Sequence, residues 1–341
     1  MKQMIKRFLA RKIVGRKRAR QLPVSELERL HTAPTVPGYN DSIYFAGWQE
    51  DGLAFVTRQA FRTGKPHENW LKVHIPGEGV WGFENRNMPA GEGFVQGPLA
   101  YRMEEPGKRW SLTYQGTLSK GSLEKDATLR ILWEGTTPLI DFDRAGAILE
   151  HTASRIAAHP WNKEFFQKLK ELHKVHYEQA GRVTGSITFD NKDYLFDGHG
   201  VRDHSFGKRS WQGWDRHIWF LGVLEDGRAF NASVIDYDFI RDLQAGYLVD
   251  DGHITTLAGV PSFAVLEMPE PLPHRLELPL RTAEEGTLLL ETDMEVFFPF
   301  VMDGVYHIRQ ALARFRLDGV PGQGIAEMGI NIRKYGIDPS Y

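Results

Sequence analysis

The densest group of reactive side chains in the sequence is GHGVRDHSFGKRSWQGWDRH, residues 198–217. Arg202, Asp203, His204, Ser205, Lys208, Arg209, Asp215, Arg216 and His217 fall there beside Trp211 and Trp214. Read as a loop, the run can set a carboxylate against a guanidinium. It can also leave a histidine to give or take a proton, because imidazole titrates near neutral pH. A purely structural reading stands beside this one, since Arg–Asp pairs also fix turns. A second group is His176-Tyr177-Glu178-Gln179. Along a strand, His176 and Glu178 point to one side and Tyr177 and Gln179 to the other, so polar groups face inward either way. Glu178 is then a pocket carboxylate or the counter-ion of a nearby arginine. Asp236 and Glu327 are weaker candidates of the same type.

Several chemistries lose weight. The chain has no cysteine, which excludes disulfides, thiolate metal sites and a cysteine nucleophile. No G-x-x-x-x-G-K-[ST] loop, G-x-S-x-G elbow or H-E-x-x-H pair occurs. The string Gly77-Glu78-Gly79-Val80-Trp81-Gly82 has dinucleotide-fingerprint spacing, but FENRNMP follows it and opens no helix to receive a pyrophosphate, so it reads as a glycine-rich turn. Thirteen histidines show no tight ligand spacing, and neither a metal nor a cofactor is expected. The net charge of −2 conceals nine Lys/Arg and no acid in residues 1–20, which leaves −11 on the rest and argues against nucleic acid as a partner.

The elements that must position these residues are mostly short strands. Residues 44–55, YFAGWQEDGLAF, and 219–230, WFLGVLEDGRAF, share seven identities without a gap at an offset of 175, the mark of a duplicated domain. Each copy is two aromatic-rich runs around an Asp-Gly turn, and Asp251-Gly252 repeats the device. Further strands are expected at Trp70–Ile75, Trp110–Leu118, Thr128–Trp133, Val183–Phe189, Thr287–Thr292 and Ala311–Leu317. One helix interrupts them: Asn162 is a plausible N-cap for KEFFQKLKELHKVH, with an apolar stripe from Phe165 to Val175. The expected organisation is a basic amphipathic helix over 1–22, a first β domain over 38–160, a connecting helix over 161–176 and a second β domain over 177–341.

In the first segment Ile5, Phe8, Leu9 and Ile13 recur at helical spacing among Lys6, Arg7, Lys12 and Arg16. Such a helix either rests peripherally on an anionic membrane or packs on the protein body. No signal-peptide pattern and no apolar run of transmembrane length occurs, and the expected location is cytoplasmic, with membrane contact confined to residues 1–20.

The runs HYEQAGRVTGSITFD, GVRDHSFGKRSW and YHIRQALARFRLDGVPGQGIAEMGIN resemble a group of largely uncharacterised bacterial proteins. That group lies in the superfamily of carotenoid 1,2-hydratase, tocopherol cyclase and AttH-like proteins. The likeness is clearest over 176–332, moderate over 38–160 and absent from the basic segment. It implies an all-β chain of two tandem lipocalin-like antiparallel barrel or sandwich domains. It also implies a cofactor-free site for a hydrophobic, terpenoid- or polyketide-like molecule, with hydration, cyclisation, cycloaddition or binding alone as outcomes.

Two functions are therefore expected. In the first, an enzyme hydrates, cyclises or isomerises an apolar alkene. His204 or Asp203 is then the acid and Glu178 the second carboxylate. Trp48, Trp211, Trp214 and Trp219 wall the cation, with Tyr177 also in contact, and Arg202 and Arg209 hold the acid in place. In the second, the chain carries a lipid or isoprenoid without turnover and the basic helix delivers it to a membrane surface.

Overall fold

The computed structural model describes every residue except 1, 19–21, 89–91, 173, 264–272, 285 and 337–341. In chain order the strands are Tyr39–Trp48 (β1), Ala54–Arg62 (β2), His67–Ile75 (β3), Gly79–Met88 (β4), Val95–Gln96 (β5), Leu99–Glu105 (β6), Arg109–Lys120 (β7), Leu123–Gly135 (β8), Ile140–Asp141 (β9), Lys174–Phe189 (β10) and Lys192–Lys208 (β11). They continue as Trp214–Leu224 (β12), Ala229–Tyr237 (β13), Leu243–Asp250 (β14), His253–Thr256 (β15), Arg275–Arg281 (β16), Thr287–Met302 (β17), Tyr306–Leu317 (β18) and Val320–Asn331 (β19). The α-helices are Lys2–Arg18 (α1), Val24–Leu27 (α2), Leu149–Ala158 (α3), Lys163–Glu171 (α4) and Ile332–Tyr335 (α5). Among the described residues no helix is long and apolar enough to cross a membrane.

The chain forms two compact units. The first comprises Leu22–Leu139 and Lys174–Arg209; the second comprises Met1–Gln21, Ile140–His173 and Ser210–Tyr341. In the first, antiparallel strands follow the order β4-β3-β2-β1-β11-β10-β8-β7-β6-β5, and a contact between β4 and β7 at Gly82 and Ser119 brings the meander round on itself. In the second, the order is β15-β14-β13-β12-β19-β18-β17-β16. Eight consecutive positions thus match strand for strand, with β1 answering to β12 and β11 to β19. An isolated bridge between Gly259 and Arg281 draws the ends of the second sheet together. The architecture is the expected tandem lipocalin-like β fold.

These units do not follow the boundaries drawn from the sequence. The hairpin of β10 and β11, expected to open the second domain at 177, pairs with β1 and β8 and belongs to the first unit. The connecting helix is also shorter than 161–176. Asn162 caps it as expected, its Oδ1 accepting from Phe165 N at 2.8 Å, but the helix ends at Glu171 and the strand begins at Lys174. Tertiary pairing outweighs the helical apolar spacing there. The run at 198–217, read as a loop, is instead strand β11, a short turn at Trp211–Gly213 and the start of β12. All six strands expected elsewhere lie within β3, β7, β8, β10, β17 and β18.

The repeated hairpins share a mechanism that explains their identities. Gln49 N donates to Leu53 O at 3.0 Å and Leu224 N to Arg228 O at 2.7 Å, and Gly52 and Gly227 both adopt a φ of 88°. Asp51 and Asp226 keep negative φ, so only the glycine of each pair occupies the left-handed region. Across each hairpin a glycine faces a phenylalanine: Gly47 pairs with Phe55 and Gly222 with Phe230. The ring lies over the glycine so closely that a Cβ there would sit 2.5 Å from Phe55 or 2.7 Å from Phe230. The Glu-Asp-Gly turn and the Gly/Phe pair are therefore conserved between the copies by steric demand within each hairpin.

The first unit is filled by Ile43, Phe45, Phe55, Leu71, Trp110 and Trp133 among others, and the second by Phe220, Phe230, Leu278, Met294 and Phe315. Helix α1 joins a third cluster through Ala10 and Val14, which pack with Ala153, Ile156 and Phe165. The apolar stripe read from the sequence, Ile5, Phe8, Leu9 and Ile13, is exposed.

Gly222→Ala is expected to destabilise the chain by about 1–3 kcal/mol, because the new methyl overpacks against the Phe230 and Phe315 rings. Combining it with Phe230→Leu should return part of the loss. Urea unfolding measures both, and purely additive losses would show that the ring is not the obstacle.

Candidate functional site

In the first unit, alternation along β10 and β11 sends Arg202, His204, Tyr177 and Gln179 to one side. They meet Asp41 of β1 and a segment that the sequence reading left unassigned, residues 23–37. Glu28, only 1% exposed, is the hub. Its Oε1 accepts from Arg202 Nη2 at 2.9 Å and from Tyr177 Oη at 2.8 Å, while Oε2 accepts from Trp110 Nε1 at 2.8 Å and Gly107 N at 3.2 Å. Burial alone would raise the Glu28 pKa, but the Arg202 charge and these donors outweigh it and hold the carboxyl below its usual value. Arg202 also donates to Gln179 Oε1 from Nη2 at 2.8 Å. Its guanidinium carbon lies 5.0 Å from the Trp133 ring centre and 5.6 Å from those of Trp110 and Tyr177.

The chain of bonds continues from Tyr177 Oη to His204 Nδ1 at 2.7 Å and from His204 Nε2 to Asp41 Oδ1 at 2.6 Å. The other Asp41 oxygen accepts from His31 N at 2.6 Å. Desolvation lowers the His31 pKa despite the nearby Asp41, and burial followed by the Glu28 charge pushes the Tyr177 phenol well up. His204 thus has both nitrogens engaged, and its side chain and that of Asp41 are fully enclosed.

Asp203 and Glu178 sit on the opposite side of the same two strands, directly across from one another in register. Glu178 Oε1 is 3.0 Å from His176 Nε2. Asp203 shares a cross-strand row with Tyr44 and Arg58. Arg58 is paired with Glu68 at 3.4 Å; its pKa is lowered by desolvation, which the charges of Glu68 and Asp203 oppose. Arg209 donates to Ser205 Oγ at 2.6 Å. Trp48 in β1 is buried at 1% exposure. The expected trio of Asp203, His204 and Glu178 is therefore split across a sheet, with His204 on the side away from the two carboxylates.

The second unit assembles the other candidates. His217 Nε2 is 2.7 Å from Glu327 Oε1, and His217 Nδ1 is 2.6 Å from Tyr306 Oη. Gln310 Nε2 donates to Glu327 Oε2 at 2.7 Å. Burial, then the charge of Glu327 and further acidic groups, raises the Tyr306 pKa well above its ordinary value, so the phenol keeps its proton. A phenol that keeps its proton can donate to His217 Nδ1, which leaves Nε2 as the ring nitrogen that shares a proton with Glu327. The Glu327 side chain is 18% exposed, unlike the enclosed Asp41.

Aromatic rings surround this relay. Trp214 meets the His217 ring edge-on at 5.5 Å, and Trp211 lies 4.8 Å from Trp214 and 5.4 Å from Tyr306. Trp219 stands directly opposite Glu327 across β12 and β19.

Register relates the two units. Gly47 faces Gly200 as Gly222 faces Gly324, so Asp203 answers to Glu327 and Glu178 to Gln310. By the same register Met328 stands at the place of His204, and His217 at the place of Ser42. Each unit holds a carboxylate–histidine–tyrosine chain, but at non-equivalent positions. Sequence reasoning missed Glu28, Asp41, Tyr306 and Gln310 as members. The demand of Arg202 for a carboxylate was the available signal for Glu28, which lies 174 positions away.

A family model described as "Domain of unknown function (DUF7064)" matches residues 25–332, most of the chain. The chain belongs to the DUF7064 family. None of the curated proteins compared with it matches. Among solved structures, this DUF7064 chain is similar in fold to an AttH-type protein from Nitrosomonas europaea, at 14% identity and a TM-score of 0.59, covering 88% of this chain and 99% of that one. CghA solved with Sch210972 follows at 10% identity and a TM-score of 0.52, covering 86% and 89%. Kievitone hydratase from Nectria haematococca matches at 10% identity and a TM-score of 0.51, covering 92% and 95%.

Glu28→Gln is expected to destabilise the DUF7064 chain by about 3–5 kcal/mol at neutral pH, since Arg202 loses its buried counter-charge. The Glu28 pKa is depressed on folding, so its contribution is complete above the ordinary value of 4.5 and is lost as pH falls through the lower folded value. Urea unfolding of both proteins should show the gap narrowing below pH 4.5. A gap of constant size would refute the linkage.

Proposed function

We propose that the chain binds a hydrophobic, terpenoid- or polyketide-like small molecule and catalyses its cofactor-independent hydration, cyclisation or isomerisation. The observation carrying this reading is the Glu327–His217–Tyr306 relay, whose carboxylate end is partly exposed beside Trp211, Trp214 and Trp219. A proton held by the Glu327–His217 pair passes to one carbon of an alkene, and the cation left on the other carbon is stabilised by indole π faces. In hydration, water adds to that carbon and its surplus proton returns to Glu327. In isomerisation, a neighbouring C–H bond supplies the returning proton. Gln310 and His217 hold the two carboxylate oxygens in place through both steps. Likeness of fold to a kievitone hydratase and to CghA supports this class of reaction. Asp203 and Glu178, the first-unit counterparts of Glu327 and Gln310, are proposed as a polar pair for acid–base work within their own unit, and the enclosed Arg202–Glu28–Tyr177–His204–Asp41 chain as the structural support of that unit.

A second reading is a carrier of lipid or isoprenoid that works at a membrane surface without turnover. The outward apolar side of α1 favours it.

Glu327→Gln separates the two. In an enzyme it should cut turnover by about 10²–10⁴-fold with folding retained. Native mass spectrometry should then find a different small molecule on the variant than on the parent: one water lighter for hydration, or an isomer resolved by chromatography. The same molecule on both proteins would sink catalysis and leave the carrier.

A further inference from the structure

Thirteen large hydrophobic side chains are exposed among the described residues, and five of them fall in one stretch of α1: Met4 at 75%, Ile5 at 53%, Phe8 at 56%, Leu9 at 41% and Ile13 at 36%. Helical spacing puts Met4, Ile5, Phe8 and Leu9 on adjoining turns of one side. The opposite side is fixed to the rest of the second unit. Ala10 and Val14 are buried against Ala153 and Ile156, Lys6 Nζ donates to His159 O at 2.9 Å, and Arg11 reaches Glu150 at 2.8 Å. The helix is therefore held with its apolar side outward.

Cations surround that side. Lys12 Nζ lies 4.5 Å above the Phe8 ring, a snorkelling geometry that keeps the ammonium beyond the apolar surface. Lys2, Arg7 and Arg11 are exposed on the flanks, and the helix contains no acid. Residues 21–341 carry −11, so an anionic partner is drawn to this basic end and repelled elsewhere. A nucleic acid would match the cations but would leave four aliphatic and aromatic side chains without a use.

We propose that the exposed side of α1 docks the protein on an anionic lipid bilayer, with the helix lying in the plane of the interface and Phe8 at the centre of the inserted patch. The proposal takes the membrane from the carrier reading and does not depend on whether the ligand is turned over. Each basic residue close to an anionic surface strengthens attachment by about fivefold, and the attraction fades over a Debye length of about 8 Å at physiological salt.

The test is flotation of the full chain with phosphatidylcholine vesicles containing about one-third phosphatidylglycerol, against phosphatidylcholine alone. Attachment is expected to be at least about tenfold stronger to the anionic vesicles and to fall with added salt. Phe8→Glu should weaken it by about tenfold or more with circular dichroism and melting unchanged, because the side chain points outward. Lys12→Glu should weaken it as well. No attachment to anionic vesicles, or equal attachment to both kinds, overturns the proposal. Phe8→Glu without effect while soluble heparin strips the protein off also overturns it, since that marks a site for polyanions. Native mass spectrometry of Phe8→Glu keeps the readings apart: a retained small molecule leaves ligand binding intact whatever the vesicles show.

Discussion

A β-strand can offer any one side chain to only one side of its sheet, and this alternation decides which polar groups of the chain can meet. In β11 it separates Arg202 and His204 from Asp203 and Ser205, although the four are consecutive in sequence. The pair on one side is drawn into an enclosed lattice with Glu28, Tyr177 and Asp41. The pair on the other side joins Glu178, Arg209 and the row leading to Arg58. Because the second sheet repeats the strand order, the same rule places Glu327 beside Gln310 and within reach of His217.

The enclosed lattice is costly to form and has a structural logic. A guanidinium removed from water requires a carboxylate and nearly complete hydrogen bonding. Arg202 obtains the carboxylate from Glu28 and bonds for Nε and Nη2 from Glu28 and Gln179, while its buried Nη1 has no hydrogen-bond partner and the group lies against three aromatic rings. The carboxylate is supplied by the segment following α2, so the stretch before β1 is bound to the rest of the first unit by groups that cannot be left unpaired. The relay in the second unit uses the same three residue types, yet Glu327 retains access to its surroundings. Similar chemistry thus serves opposite ends depending on exposure.

Much of this was legible in the sequence. The repeat at an offset of 175 announced the duplication because Gly222 and Phe230 must be kept together for steric reasons, as must Gly47 and Phe55. Strand positions followed from alternation and turn chemistry. Trp211 lies beside Trp214, and Asp203 faces Glu178 in register, as neighbours in one run and alternation along a strand allow. The unit boundary was not legible: nothing local distinguishes β10 and β11 from a second-domain hairpin, because their allegiance is set by pairing with β1 and β8. Nor were the partners of Arg202 and His204, which lie 174 and 163 positions away. A period-two pattern fixes the side of a sheet, not the distant residue waiting there. The N-terminal helix shows the converse, since its apolar stripe was read correctly and its two small inward residues, Ala10 and Val14, gave no comparable signal.

The stretch between β8 and β10 bears on how the polypeptide is made. In the second sheet β17 passes to β18 through a tight turn, but in the first the corresponding step is an excursion from residue 136 to 173 that contains α3 and α4. During synthesis the edge of β1 therefore waits for β11, which leaves the ribosome only after that detour. An unpaired edge held open so long invites pairing with a neighbouring nascent chain, which makes early production the hazardous stage for this molecule.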